Sequence, residues 1–406
     1  MGLPLKVSVL HKLDSRVFPL VCFALTVLRK TLARTSSCKT SQIKSILFVK
    51  LAEQGSSVLA IPAIQEAASM VGRENLYALV FKENRFILDI IGIIPPENIL
   101  TVDHGSLLAM VRSTIYQIFK IRKLHVDAAV DLEFFARFSA AITYLTGAKW
   151  RVGLHAYFGE GPYRGDLMTH RVLYNAQLHT SQMFMSLVKA MQLDPKTLPT
   201  FPYQPEEMKT EMVFQPTEEE VERVKNIIIK ESGLESIPKI VLMNPNASDL
   251  LPFRKWDLEN YKVLARLILD NYPEVRIGIT GSPEESEKAQ NLCTEIGSER
   301  CFSFAGKTSL RELMVLYNLC TLLVTNDSGP AHFASLTSIK VITLFGPETP
   351  RLFAALTPRS FPITAKIACS PCVNALNNRQ SSCIDNQCMK MISPEIVFNK
   401  IQECIV

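Results

Sequence analysis

The sequence predicts an α/β protein built from two Rossmann-like halves, each a mostly parallel sheet with helices on both faces. Three observations carry this. Short apolar runs of buried-strand length alternate with segments of helical period. Several of those runs end in a polar turn containing glycine or asparagine, the place where open parallel sheets bind ligands. A proline-rich stretch without hydrophobic period splits the series in two. The 406 residues, 47% apolar and 20% charged, suffice for two or three domains with sizeable cores, and their composition is not that of a disordered chain.

Residues 1–44 stand apart as a basic, apolar arm. They hold eight lysines and arginines against Asp14 alone, a net of +7, which leaves −2 for the rest of a chain whose total is +5. The basic balance therefore belongs to the arm and not to a nucleic-acid-binding body. No zinc-finger, RNP or long basic-helix pattern is present, so nucleic acid is excluded as a partner. Val17 to Leu28 is mostly apolar but contains Pro19 and is too short to span a bilayer, which takes about 20 residues. The preferred reading is a cationic, apolar segment lying on an anionic membrane face. That places the protein in the cytoplasm, peripheral on the inner face of the membrane. A secretory signal, a transit peptide and a helix packed on the body are the alternatives.

Residues 45–200 form the first half. Ser45 to Lys50 is a buried-strand run, followed by a glycine-containing loop and a helix from about Pro62 to Val71. Leu76 to Phe81 is a strand, Arg85 to Ile91 a helix, Ile99 to Val102 a strand, and Ala128 to Leu132 a strand with a helix to Leu145. The stretches around 103–125 and 153–180 read as variable surface loops. His155, His170 and His179, with Arg164 and Arg171, are either an anion-facing group or scattered surface residues.

Residues 201–216 are the proline-rich hinge, and residues 217–368 the second half. Thr217 caps a helix whose first turn is acidic, as the helix dipole favours. Lys239 to Met243 is a strand ending in Asn244-Pro245-Asn246; Asp257 opens a helix; Arg276 to Thr280 is a strand ending in Gly281. Ser309 and Glu312 make a capping box. Thr321 to Thr325 is a strand, then Asn326-Asp327-Ser328-Gly329 turns into a helix from Pro330 to Leu336, with His332 near its start. Free amides and a glycine at such a turn suit an anion. The plain alternative is a capped helix. Val341 to Leu344 is a further strand, ending at Gly346-Pro347.

Taken in order, Asn244 to Trp256, Gly281 to Glu285, Gly306 to Leu310, Asn326 to His332 and Phe345 to Thr349 resemble the glycosyltransferase family 9 heptosyltransferases. "GAKWRVGL" at 147–154 and "THRVLYN" at 169–175 add to the likeness, which runs from about Ser45 to the C-terminus. The resemblance implies a GT-B fold, with the active site in the cleft between the two Rossmann-like domains. It implies an inverting, metal-independent transfer of heptose from ADP-heptose to a lipopolysaccharide-type or other glycolipid acceptor, with no required cofactor. No Asp-x-Asp metal motif is present. By the resemblance, Ser328 and Gly329 hold the donor diphosphate, and Asp327 and His332 shape the site. Lys255 neutralises a phosphate with Arg254 assisting, Asn246 and Ser248 hydrogen-bond phosphate, and Glu285 or Glu284 meets the nucleoside. A solvated charge pair at 254–255 and first-turn helix charges at 284–285 are the alternatives.

The catalytic base departs from the family pattern. An aspartate is expected directly after a glycine in the first loop, but Ser56 follows Gly55, and a serine cannot act as that base unaided. Glu53 is the nearest carboxylate and the replacement candidate; Asp131 and Glu133 at another strand end are fallbacks. Two other readings stay open: a degenerate, non-catalytic sugar-nucleotide-binding protein, and a sugar-nucleotide epimerase.

Residues 369–406 hold Cys369, Cys372, Cys383 and Cys388 in the spacing C-x2-C-x10-C-x4-C, then a helix from Pro394 to Cys404. The four thiols read as a structural zinc site, as two disulfides or as free thiols. By the resemblance, the last helix crosses back onto the first domain.

Overall fold

The computed structural model describes residues 7–32, 43–209, 213–247 and 251–405. The chain forms two compact units, residues 1–208 with 374–380, and residues 209–373 with 381–406.

In the first unit the elements are α1 (Val7–Arg16), α2 (Phe18–Leu32), β1 (Ile46–Val49), α3 (Gln54–Leu59), α4 (Ile61–Val71), β2 (Leu76–Phe81), α5 (Arg85–Ile91), β3 (Ile99–Val102), α6 (Leu107–Leu124), β4 (Ala128–Asp131), α7 (Arg137–Leu145), β5 (Trp150–His155), β6 (His170–Leu173) and α8 (Thr180–Ala190). The six strands are all parallel, in the order β3-β2-β1-β4-β5-β6. Every residue of β1 and β4 is buried. That is why these strands read as continuous apolar runs and not as alternating ones: helices cover both faces. Strand order reverses between β1 and β4, which makes their carboxyl ends the ligand-binding crevice of this sheet.

One expectation for this unit is corrected. The stretch around 103–125 is not a loop but the long helix α6, and 153–180 contains the end of β5 and all of β6. The period of α6 was hidden because its outward face is apolar as well as its inward one. The described part of the arm is a pair of helices docked on the body, as in the packed-helix alternative. Asp14 accepts hydrogen bonds from the Arg137 and Phe138 amides, both at 2.8 Å, capping the start of α7. Cys22 is fully buried, and Arg29 pairs with Asp166 at 2.9 Å. Gly165, at φ +71°, permits this approach: a Cβ there would stand 2.7 Å from the Cys22 carbonyl oxygen. Among the described residues no helix is long and apolar enough to cross a membrane.

The second unit runs α9 (Glu218–Ser232), β7 (Lys239–Asn244), α10 (Leu258–Asn271), β8 (Val275–Ile279), α11 (Ser286–Ile296), β9 (Cys301–Ser303), α12 (Leu310–Leu319), β10 (Leu322–Asn326), α13 (Gly329–Ser335), β11 (Lys340–Phe345), α14 (Pro350–Phe353), β12 (Ser360–Thr364), α15 (Gln387–Lys390) and α16 (Pro394–Ile405). Its strands are also all parallel, in the order β12-β11-β10-β7-β8-β9, with the switch between β7 and β10. The expected capping boxes form at Thr217 with Glu220 and at Ser309 with Glu312. Residues 201–209 and 213–216 carry neither helix nor strand. The last helix belongs to the second unit. Val397, Phe398, Ile401 and Cys404 join the second core, and α16 packs against α10. The segment that belongs to the first unit is 374–380.

Candidate functional site

In the second unit the polar turns meet at the switch between β7 and β10. Asn326, at the end of β10, ties them together. Its amide donates to the carbonyls of Pro245 at 3.0 Å and Asn246 at 3.3 Å, and its oxygen accepts from the Trp256 amide at 3.1 Å and the Tyr261 hydroxyl at 3.3 Å. The loop after β7, the loop carrying Arg254 and Lys255, and the turn after β10 are thus joined by one buried side chain. Sequence reasoning placed Asn326 in the turn without giving it this job.

Arg254 holds the turn from the other side. Its Nη1 donates to the Asp327 carbonyl at 3.1 Å, its Nε lies 3.7 Å from Asp327 Oδ2, and its Nη2 pairs with Glu348. All three residues are largely withdrawn from water: Asp327 and Glu348 are buried, and Arg254 is only 13% exposed at its side chain. Burial pushes the Glu348 carboxyl well above the usual range, against the opposing pull of Arg254 and with the help of Asp327, to which it hydrogen-bonds. Arg254 is therefore not a solvated charge but a buried clamp on the turn. Glu348 was not anticipated. The signal was present as a carboxylate one residue beyond Gly346-Pro347 at the end of β11.

The remaining candidates lie around this turn. Ser328 opens α13 in extended conformation, and its hydroxyl donates to the Asn326 carbonyl at 3.1 Å. Gly329 is not required by crowding, since a Cβ would meet Phe333 only at an ordinary 3.6 Å. His332 is buried in the first turn of α13, and Lys255 is exposed. Asn246 and Glu285 converge beside Gly281, each with a side-chain atom 3.1 Å from where a Cβ would stand. Glu285 also accepts from the Ser282 amide at 2.7 Å in a capping box, so its carboxylate has a local structural role. Ser248 lies outside the described residues.

In the first unit, the carboxylates also gather at the switch, between β1 and β4. Glu53 follows β1 in a left-handed conformation, φ 63°, which a glutamate rarely adopts and which marks a strained turn. Its carboxylate is ion-paired with Arg379, from the segment 374–380. Ser56 is buried at the start of α3; its hydroxyl donates to the Glu53 carbonyl at 2.9 Å and lies 3.4 Å from Glu53 Oε2. Lys50 is buried and pairs with Glu133 at 3.1 Å, and burial pushes its ammonium below the usual range.

Asp131 is fully buried and held by Arg164, by the Ser139 hydroxyl at 3.0 Å and by the Glu133 amide at 3.0 Å. Burial raises its carboxyl to about 6, with Arg164 opposing. In this structure Asp131 is enclosed by these partners, which anchor the turn after β4. The anion-facing histidine group is not assembled. His170 is buried against the Leu193 carbonyl, His179 caps α8, and Arg164 is spent on Asp131.

Cys369, Cys372, Cys383 and Cys388 are not joined in disulfides; Cys369 is exposed and Cys388 buried. Among the described residues, no group of three or more His, Cys, Asp or Glu side chains is placed to hold a metal ion. The disulfide reading is corrected, and burial, with Cys372, Cys383 and Cys369 nearby, pushes the Cys388 thiol above its usual range.

A family model described as glycosyltransferase family 9 (heptosyltransferase) matches residues 120–382. Lipooligosaccharide heptosyltransferase 2 of Campylobacter jejuni is 28% identical over 193 residues, which is 45% of this chain and 55% of the relative. That of Haemophilus influenzae is 33% identical over 110 residues, 27% and 32% of the two chains. Lipopolysaccharide heptosyltransferase 2 of Salmonella typhimurium is 29% identical over 130 residues, 31% and 36%. The chain thus spans about half the length of these curated relatives, or less. Among solved structures, E. coli ADP-heptose lipopolysaccharide heptosyltransferase II gives a TM-score of 0.64 at 18% identity, covering 89% of this chain and 98% of that one. A family 9 glycosyl transferase of Veillonella parvula gives 0.67 at 15%, covering 90% and 98%. At such identities the likeness establishes the fold: two parallel six-stranded units of the GT-B type.

Proposed function

Because the chain belongs to glycosyltransferase family 9 (heptosyltransferase), we propose that it transfers heptose from ADP-heptose to a lipopolysaccharide-type acceptor, with inversion and without a metal. The single observation that carries the donor assignment is the turn Asn326 to Gly329, locked by Asn326 and Arg254 at the switch point of the second sheet. In the reaction the bond from the sugar's anomeric carbon to the diphosphate oxygen breaks, and the diphosphate leaves with the electron pair. The acceptor oxygen bonds to the anomeric carbon from the opposite face, and its proton passes to a base.

The growing charge on the leaving diphosphate needs donors already aimed at it. Lys255, exposed beside the clamped turn, supplies an ammonium, and the amides around Ser328 and Gly329 supply neutral donors. Arg254 acts mainly by fixing Asp327 and Glu348, so that the turn does not reorganise during transfer. Glu53 is the candidate base. Association with an anionic membrane, through the outward side of α2, would bring the enzyme to a lipid-linked acceptor.

A second reading, a sugar-nucleotide-binding protein without turnover, is favoured by one observation: Ser56 lacks a carboxylate, and Glu53 is already paired with Arg379.

The donor class is tested by thermal shift with ADP-, UDP- and GDP-sugars. At a hundredfold excess over its Kd, a bound donor stabilises by about 2.7 kcal/mol, so ADP-heptose should raise the melting temperature by several degrees. A shift from UDP- or GDP-sugars alone would overturn the adenine assignment, and no shift from any donor would sink the reading of the turn.

A further inference from the structure

A surface helix is ordinarily apolar toward its body and polar toward water, and α6 departs from this. Its inward face is normal: Met110, Thr114 and Ile121 are buried, at 3%, 7% and 0% exposure. Its outward face carries Leu108 at 77%, Ile115 at 50%, Tyr116 at 65% and Phe119 at 61% exposure. The spacing 108, 115, 119 falls on one stripe of a 3.6-residue helix. Arg112, Lys120 and Lys123 flank that stripe, all three exposed, and the eighteen residues of α6 contain no aspartate or glutamate.

We infer that α6 is an interfacial helix that lies in the headgroup layer of an anionic lipid bilayer, with Leu108, Ile115 and Phe119 as the inserted side chains. Three features select this occupant. A stripe of large apolar side chains with a purely basic flank is what a negatively charged, apolar-cored surface complements. A second copy of the chain, meeting α6 through a two-fold contact, would set basic flank against basic flank. The helix is about 27 Å long at 1.5 Å per residue and is held to the body along its inward side, so it lies on a bilayer and does not cross one. The inference does not depend on the transfer reaction. It also differs from the proposal for the arm, although both α2 and α6 pack against α7.

The test is co-sedimentation of the full chain with vesicles of phosphatidylglycerol and phosphatidylethanolamine, and separately with phosphatidylcholine alone. The wild type should partition onto the anionic vesicles, more weakly at high salt, and not onto the neutral ones. The triple substitution Leu108→Ser, Ile115→Ser, Phe119→Ser should reduce that partitioning at least tenfold, as should Arg112→Gln, Lys120→Gln, Lys123→Gln. Neither set touches the buried face, so the melting temperature should stay near that of the wild type. Phe119→Trp gives a reading that needs no disruption: its emission should move to shorter wavelength on adding anionic vesicles. Wild-type partitioning of both triple variants with no such emission change would overturn the inference. So would loss of binding in Leu20→Ser, Phe23→Ser on α2 with none in the α6 sets. A dimer that the apolar triple variant converts to monomer, without vesicle binding by the wild type, would assign the face to a second copy instead.

Discussion

Replacing Arg254 by glutamine should lower the stability of the second unit by about 3 kcal/mol, the scale of leaving buried hydrogen-bonding groups without their charged partner. Donor binding should be lost with it. The guanidinium touches both the Asp327 backbone and the Glu348 carboxyl, and both of those residues are buried. Lys255 is the internal control. It is the next residue in the chain but exposed, so Lys255→Gln should leave stability within about 0.5 kcal/mol. It should still weaken donor binding at least tenfold by removing a charge from the diphosphate.

Glu348→Gln separates clamp from charge. Because burial pushes the Glu348 carboxyl well above its usual range, the fold favours its neutral form more than water does, and an amide of the same shape should replace it at little cost. The sign of the pH effect follows from linkage. A carboxyl whose folded pKa is raised contributes stability that is present below its unfolded value and lost as pH rises through the folded one. The wild type should lose that contribution on raising the pH, and Glu348→Gln should not. Chemical denaturation of the three variants at two pH values, with nucleotide titration alongside, checks all of this. Equal stability of Arg254→Gln and Lys255→Gln would remove Arg254 from its role as a clamp.

Glu53→Gln should lower turnover by a factor on the order of 10² to 10⁴, the range for loss of a general base, while donor affinity stays within a factor of about two. The structure adds a condition. Glu53 is held by Arg379, and its backbone is in the left-handed region, so the carboxylate is oriented by a pair and not by rotamer preference alone. Arg379→Lys, which keeps the charge but not the fork geometry, should then reduce kcat and leave donor affinity unchanged. Single-turnover rates with saturating donor measure both. Near-normal turnover in Glu53→Gln would move the base elsewhere.

What was legible in the sequence was local. The strands of both sheets are buried on two faces, so Ile46 to Val49 and Leu322 to Asn326 announce themselves as apolar runs, and the turns after them are read from the next few residues. The crevice residues Asn246, Arg254, Asp327, Ser328 and Gly329 come together because parallel strands deliver their carboxyl ends to one edge. Partners distant in sequence were not legible. Arg379 lies 326 residues from Glu53, and Arg164 was read as a surface cation because nothing near it in the sequence shows that it is folded against Asp131. Helix α6 is harder to read for a different reason: Leu108, Ile115 and Phe119 on its outward face blur the contrast with its buried face. The C-terminal cysteine spacing does lead to neighbours in the fold, but spacing alone does not say what they bind.

The central claim is that this chain moves a sugar from a nucleotide donor to an acceptor. The direct test is to incubate the purified full chain with ADP-heptose and a heptose-deficient lipopolysaccharide acceptor, following ADP release and the acceptor's mass together. The account predicts release of one ADP per heptose gained, only when the acceptor is present, and a loss of both signals in Glu53→Gln. Binding of ADP-heptose without either signal, or alteration of the donor in the absence of acceptor, would contradict it.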